Sequence, residues 1–250
     1  MLDFKNVTFT YDTDTEPIIK DLSFHIPDKS FVSIIGASGS GKTTLFRLLN
    51  MLEHPDAGEI LVAGSDIKSL KNYASYMPQQ DLLFPWRTVE KNISLPMEIQ
   101  KVPRQEQKRI VQEMLDRVGL SDYGKKFPRE LSGGMRQRVS FARTLCTGSD
   151  LLLLDEPFSA LDSITRISMQ EWLRHQWNSM EKTIMFITHD VEEAIFLSEK
   201  VLVLTGRPVN SLLEYEVPLP KERDRSMLLS AEIQELKEEL VAMLRKEAEA

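Results

Sequence analysis

Residues 31–52 read FVSIIGASGSGKTTLFRLLNML, and this stretch decides the fold. Phe31 to Ile35 form an apolar run without alternation, the pattern of a strand buried on both faces. Gly36-Ala37-Ser38-Gly39-Ser40-Gly41-Lys42-Thr43 then matches the pattern GxxxxGK[ST] in full, and a helical run starts near Thr43. A strand before this pattern and a helix after it are the context in which it means phosphate binding. Glycines let the backbone curl so that successive N–H groups face one anion, and the helix N-terminus adds its positive end. Lys42 is expected to neutralise the β- and γ-phosphates of a nucleotide, and the Thr43 hydroxyl to ligate Mg²⁺. Thr44 completes the candidate cradle.

Outward from this centre, the first thirty residues alternate apolar and polar positions (LDFKNVTFTY, then LSFHI), which predicts antiparallel strands. Pro55, Asp56 and Gly58 break the helix after the loop, and EILVAG, ending at Gly64, reads as a further strand. Helical periodicity returns from about Arg104 to Tyr123 and from Met135 to Cys146. DLLLLDEP, TIMFITHD and VLVLTG are short apolar runs, with the helical DVEEAIFLSEK between the last two. Strands alternating with helices predict an α/β fold with a mainly parallel sheet. Residues 207–225 carry prolines and read as irregular, and after them Ile233, Leu236, Leu240, Met243 and Leu244 fall at helical spacing. This last segment reads as a closing amphipathic helix packed on the body, with Ser230 as its N-cap.

Composition narrows the function. The chain has 250 residues and a formal net charge of −7, which counts against gripping nucleic acid through its phosphates. Cys146 is the only cysteine, so neither an intrachain disulfide nor a cysteine metal cage can form. No stretch approaches the roughly 18 consecutive apolar residues of a membrane span. The N-terminus lacks a basic-then-apolar signal pattern, so the chain is expected in the cytoplasm.

Two further elements complete a reaction centre on paper. Asp155 and Glu156 end the apolar run Leu151–Leu154. Beside a phosphate loop, such an aspartate holds Mg²⁺, and a glutamate directly after it can polarise the attacking water as a general base. His189 ends the run before Asp190, and parallel-sheet logic brings that end to the same edge. There it is expected to touch the γ-phosphate and the water.

Leu131-Ser132-Gly133-Gly134-Met135-Arg136-Gln137-Arg138 resembles the signature motif of ATP-binding cassette proteins, LSGGQ, with Met135 in place of the usual glutamine. Ser132 and two glycines at a helix start also read as a second anion-binding N-terminus. The resemblance runs from about residue 2 to 205 with its motifs in family order. It implies a P-loop NTPase core, an N-terminal antiparallel β subdomain and a helical signature subdomain at about 81–150. The whole would be an ATPase domain over 1–205 and a C-terminal extension over 206–250. By the same resemblance Tyr11 stacks on adenine and Gln79 touches Mg²⁺ and the water. Ser132, Gly133 and Gly134 would cover the ATP held by a second copy, and Asp162, in Ser159-Ala160-Leu161-Asp162, would couple the two sites of that homodimer.

The stretch Leu82-Leu83-Phe84-Pro85-Trp86-Arg87-Thr88-Val89 resembles importer ATPases of the nitrate, sulfonate, taurine and thiamine-precursor group. That implies ATP and Mg²⁺ as cofactors, and a peripheral position on the cytoplasmic face of the cell membrane. Integral permease subunits would dock near Phe84–Trp86, and an extracytoplasmic solute-binding protein would take part indirectly. Phe84 and Trp86 also admit a reading as core fillers of the helical subdomain. The alternative function is a soluble cassette ATPase that assembles or remodels a protein complex. Sustained heptads between Thr43 and Leu131, as in cassettes with a long coiled coil, are absent.

Overall fold

The computed structural model describes residues 1–37 and 39–249. In chain order the strands are β1 (Leu2–Phe9), β2 (Ile19–Ile26), β3 (Phe31–Ile35), β4 (Ala57–Val62), β5 (Ser65–Asp66), β6 (Ala74–Met77), β7 (Leu151–Asp155), β8 (Thr183–Ile187), β9 (Lys200–Thr205) and β10 (Ser211–Glu216). The helices are α1 (Lys42–Leu49), α2 (Val89–Ile99), α3 (Arg104–Arg117), α4 (Gly133–Leu145), α5 (Ser163–Ser179), α6 (Val191–Leu197) and α7 (Ala231–Glu249).

Two sheets divide the strands. β2-β1-β4-β5 is antiparallel, as the alternation of the first thirty residues predicts. The second has the order β10-β9-β3-β8-β7-β6 and is parallel except at β10. Its central strands are buried at every position because both faces are covered. On β3, Val32 and Ile34 join a core shared with the antiparallel sheet and α1, whereas Phe31 and Ile35 join one beneath α5, α6 and α7. β7 and β8 divide in the same way: Leu153 and Met185 face the first core, Leu152 and Phe186 the second. Each such side chain contributes about 1.5–3 kcal/mol by leaving water.

A third core holds α2, α3 and α4 together through residues such as Ile93, Val111, Leu115 and Val139. It lies within the 81–150 stretch.

The structure corrects three details. The helix expected from Arg104 to Tyr123 ends at Arg117, because the chain turns at the left-handed Gly119 (φ +67°), and only a 3₁₀ turn follows at Ser121–Tyr123. Residues 207–225 are not wholly irregular, because β10 adds an antiparallel edge strand there, from Ser211 opposite Thr205 to Glu216 opposite Lys200. The Lys200 ammonium fixes that register by bonding Glu214 and Glu216 at 2.7 and 3.0 Å. Helix α4 begins at Gly133, two residues before the periodicity shows it, because Ser132 caps it by accepting the Met135 N–H. α7 packs as an amphipathic closing helix, burying Ile233 and Leu240.

Candidate active site

The parallel register brings β3, β7 and β8 to a common edge. Ile34 lies beside Ile187, and Ile187 beside Asp155. β8 sits between β3 and β7, so the loop after Ile187 opens between the glycine loop and the Asp155–Glu156 pair. Chemistry-bearing residues separated by more than a hundred positions meet there as a consequence of strand order alone.

The glycine loop is built to accept an anion. Gly41 precedes α1 with φ +89°, a left-handed conformation open to glycine at little cost. A Cβ at Gly41 would also stand 3.2 Å from Ile18 Cγ2. α2, α4, α5 and α6 each begin with a capping side chain, Thr88, Ser132, Asp162 and Asp190. α1 has none, and no acidic residue in its first turn, so its leading N–H groups remain available to a phosphate. The Lys42 ammonium curls back onto the loop and donates to the carbonyl oxygens of Gly36 and Ala37, each at 2.9 Å. Burial lowers its pKa, while Glu156 and Asp155 pull it upward. Among the described residues the buried Ser40 Oγ has no hydrogen-bond partner, which fits a donor kept for a phosphate oxygen. Ser38 lies outside the described residues, and Gly39 borders a surface cleft shared with Arg207 and Pro208.

Asp155 is buried at the end of β7. Burial raises its pKa to about 6, the neighbouring Glu156 adds to the rise, and hydrogen bonds from Thr43 and Tyr76 with the Lys42 charge oppose it. The Thr43 hydroxyl and Asp155 carboxylate therefore meet as hard oxygen donors with a shortage of positive charge, which fits Mg²⁺. Among the described residues no cluster of three or more His, Cys, Asp or Glu could hold a metal by itself.

Three strand ends converge on Glu156. Gln79, two residues beyond β6, donates through Nε2 to Glu156 Oε2 at 2.9 Å. His189, two residues beyond β8, places Nδ1 3.4 Å from the same oxygen. The Glu156 side chain is 19% exposed and that of His189 67%, so the carboxylate sits at the floor and the imidazole at the rim. Glu156 holds φ +47°, and its N–H bonds Ile187 O at 2.9 Å, tying β7 to β8 at the site. A left-handed non-glycine residue costs of order 1–3 kcal/mol and persists where its surroundings impose it.

Tyr11 lies beside the start of α1. Its hydroxyl lies 3.0 Å from Thr44 Oγ1 at the start of α1, and the Arg47 guanidinium stands 5.8 Å from its ring centre. Tyr76, whose hydroxyl bonds Asp155 at 3.3 Å, belongs to no motif; it lies three residues before Gln79 on β6, a strand that no sequence pattern announces.

Ser132, Gly133, Gly134 and Asp162 do not join this cluster within the chain. Among the described residues no hydrogen bond links them to the glycine loop. They neighbour one another instead: a Cβ on Gly134 would lie 3.0 Å from Leu161 Cδ2, next to Asp162. Asp162 is exposed, caps α5 by accepting the Thr165 N–H at 3.0 Å, and is held by those bonds below the usual carboxylate range. Met135 packs against the third core.

The chain resembles known proteins over most of its length. The family described as ABC transporter matches residues 19–159. The formylaminopyrimidine import ATP-binding protein ThiZ of Halalkalibacterium halodurans is 40% identical over 250 residues, 99% of this chain and 98% of that protein. The taurine import ATP-binding protein TauB of Rhizobium johnstonii is 40% identical over 228 residues, 89% of this chain and 87% of that one. The nitrate import ATP-binding protein NrtD of Synechocystis is 41% identical over 206 residues, 82% of this chain and 77% of that one. Among solved structures, the dimeric post-hydrolysis state of the ATP-binding cassette MJ0796 bound to ADP and Pi superposes with a TM-score of 0.78. It is 29% identical and covers 88% of this chain and 100% of that one.

Proposed function

The chain belongs to the ABC transporter family, and from that premise we propose that it is the ATP-hydrolysing subunit of a membrane importer for a small solute. The solute class is that of the relatives: nitrate, sulfonate, taurine or a pyrimidine precursor. In this reading residues 1–205 are the ATPase domain, about 81–150 its helical subdomain, and 206–250 a C-terminal extension.

The observation that carries the reading is the meeting of Gln79, Glu156 and His189 on one carboxylate oxygen, beside Lys42 and Asp155. On binding, the Lys42 ammonium exchanges the Gly36 and Ala37 carbonyls for β- and γ-phosphate oxygens, and Tyr11 stacks on the adenine. Thr43, Asp155 and Gln79 are the residues that would hold Mg²⁺, which when bound supplies positive charge against the phosphate oxygens. Glu156 accepts a proton from water as the water oxygen bonds the γ-phosphorus and the bond to the ADP oxygen breaks. A positioned base of this kind contributes about 10²–10⁴ in rate. His189 steadies the γ-phosphate and the water. Ser132, Gly133, Gly134 and Asp162, which among the described residues make no hydrogen bond to their own glycine loop, serve a second copy's nucleotide, giving a homodimer with two shared sites.

Among the described residues no helix is long and apolar enough to cross a membrane, so closure does work only through an attached partner. Trp86 is 72% exposed and lies against Phe84, with ring centres 5.2 Å apart. Trp86 borders a polar groove with Arg87, Lys91 and Arg104; a separate apolar groove of about 470 Å³ includes the exposed Leu52, Leu82 and Ile99. An exposed tryptophan backed by a half-buried phenylalanine suits the docking of a permease segment at the cytoplasmic face of the membrane. A solute-binding protein then acts through that permease.

The test is light scattering with size-exclusion chromatography on Glu156→Gln protein with and without ATP, alongside ATPase rates of the wild type. The expected result is an ATP-dependent dimer of the variant and turnover by the wild type. A variant that stays monomeric with ATP bound, beside an inactive wild type purified with its membrane subunits, overturns the reading.

A further inference from the structure

Besides Asp155, Glu193 is the one carboxylate buried among the described residues, at 7% exposure, and the chemistry above does not use it. It belongs to α6, directly after His189 and Asp190. Burial raises its pKa, against hydrogen bonds from Thr188 and Gln170 that favour the ionised form. Its Oε2 accepts the Thr188 hydroxyl, and its Oε1 accepts Gln170 Nε2 at 2.6 Å. The Gln170 carbonyl oxygen in turn accepts from Arg225 Nη2. On the other side, Thr188 Oγ1 accepts the Asp190 N–H at 3.0 Å, and the Asp190 carboxylate accepts the N–H groups of Glu192 and Glu193. His189 stands between Thr188 and Asp190, so both of its chain neighbours are tied to this one buried group.

The hydrogen bonds run in a single sense. Arg225 can only donate, which commits the Gln170 oxygen and turns its amide nitrogen toward Glu193. Because Glu193 takes the Thr188 proton, the Thr188 lone pair is free for the Asp190 N–H. The relay spans three parts of the fold. Gln170 is on α5, the helix that Asp162 caps. Arg225 opens the 3₁₀ turn before α7, and its guanidinium lies 4.6 Å from the Phe196 ring on α6. Lys237 on α7 adds a 2.8 Å ion pair to Glu192.

We infer that Glu193 is a positioning residue for His189, and that Gln170 and Arg225 connect it to the Asp162 helix and to the C-terminal segment. The inference rests on the role of His189 proposed above. Loosening the relay leaves the nucleotide cradle untouched and lets the Thr188–Asp190 turn move the imidazole away from Glu156.

Glu193→Gln is nearly isosteric and tests this directly. In either orientation the new amide leaves one buried donor without an acceptor: the Thr188 hydroxyl, or the amide facing Gln170. Full-length protein is assayed under single-turnover conditions at saturating Mg²⁺ and ATP, with KM for ATP measured in parallel. Turnover of Glu193→Gln is expected to fall about tenfold at unchanged KM, the size of one buried unsatisfied donor. The exchange Glu193→Gln with Gln170→Glu restores every donor–acceptor pair, and turnover should return to within about threefold of wild type. In a His189→Ala background, Glu193→Gln should add no further loss. A loss that the exchange does not rescue, or that adds to His189→Ala, makes Glu193 structural and overturns the inference, as does wild-type turnover in Glu193→Gln. Wild-type turnover in His189→Ala alone would instead sink the reading of the active site. Should Glu193→Gln fail to fold, Arg225→Gln at the partly exposed end decides. A loss of about threefold, absent in the His189→Ala background, supports the relay, and unchanged turnover overturns it.

Discussion

Asp155 sits in the folded chain with a pKa of about 6 against an ordinary 3.8, because burial and Glu156 outweigh Thr43, Tyr76 and Lys42. Between pH 3.8 and about 6 the folded chain therefore holds a proton that the unfolded chain has released. The group adds nothing below pH 3.8 and destabilises progressively as pH rises through about 6. At neutral pH the cost is about 3 kcal/mol, since each unit is 1.36 kcal/mol. In the nucleotide-free protein, Asp155→Asn should raise the unfolding midpoint at pH 7.5 but not at pH 4, as scanning calorimetry can follow. It should also abolish Mg²⁺-dependent ATPase activity. The same burial physics acts on Cys146, whose thiol is pushed up to about 12. Native protein should resist alkylation by iodoacetamide at pH 8, while the unfolded chain reacts. At this scale the sequence spoke clearly wherever spacing encodes chemistry, as at Lys42, Thr43 and Asp155. It was silent on Tyr76 and Glu193. Glu192 and Glu193 are chemically alike and adjacent, yet one pairs with Lys237 near the surface while the other is buried. Only the packing of a short helix sunk on nearly all sides separates them.

Among the elements, the parallel strands β3, β7, β8 and β9 were the most legible, because burial on both faces leaves an unbroken apolar run, whereas the parallel edge strand β6 alternates and shows none. β10 was not, because its polar side chains and flanking prolines hide an edge strand that is held by one neighbour. The antiparallel sheet contains a constraint that no pattern displays. Gly58 holds φ +83° where β4 passes the irregularity in β1, and a Cβ there would lie 2.4 Å from the Asn6 carbonyl oxygen. Backbone cannot give way as a flexible side chain does. Gly58→Ala should therefore destabilise the protein by about 3 kcal/mol. Calorimetry should record a midpoint lower by roughly 6–12 °C, with unchanged ATP turnover per folded molecule below the transition.

For the whole molecule, the sequence left Trp86 open between a core filler and a docking residue. Its exposure favours docking, because a side chain that is already in water contributes little by being buried on folding. Trp86→Ala should hold its unfolding midpoint within about 2 °C, in keeping with a surface substitution. ATPase activity of the purified subunit should persist while solute uptake by the assembled importer collapses. A variant that unfolds would return Trp86 to the core. The loop that carries Trp86 is unusually well fastened. Arg143 of α4 donates to the carbonyl oxygens of Asp81 and Leu82 at 2.9 Å each, and Arg136 of α4 binds the Asp81 carboxylate at 2.9 Å. Asn92 of α2 accepts the Phe84 N–H at 2.8 Å and donates to the carbonyl oxygens of Phe84, Arg87 and Thr88. Both arginines belong to the helix that Ser132 caps. A slack loop would absorb a push at Trp86 as local strain. This one has little compliance, so in the proposed importer a push at Trp86 would shift α4, and Ser132 at its start, together with the loop.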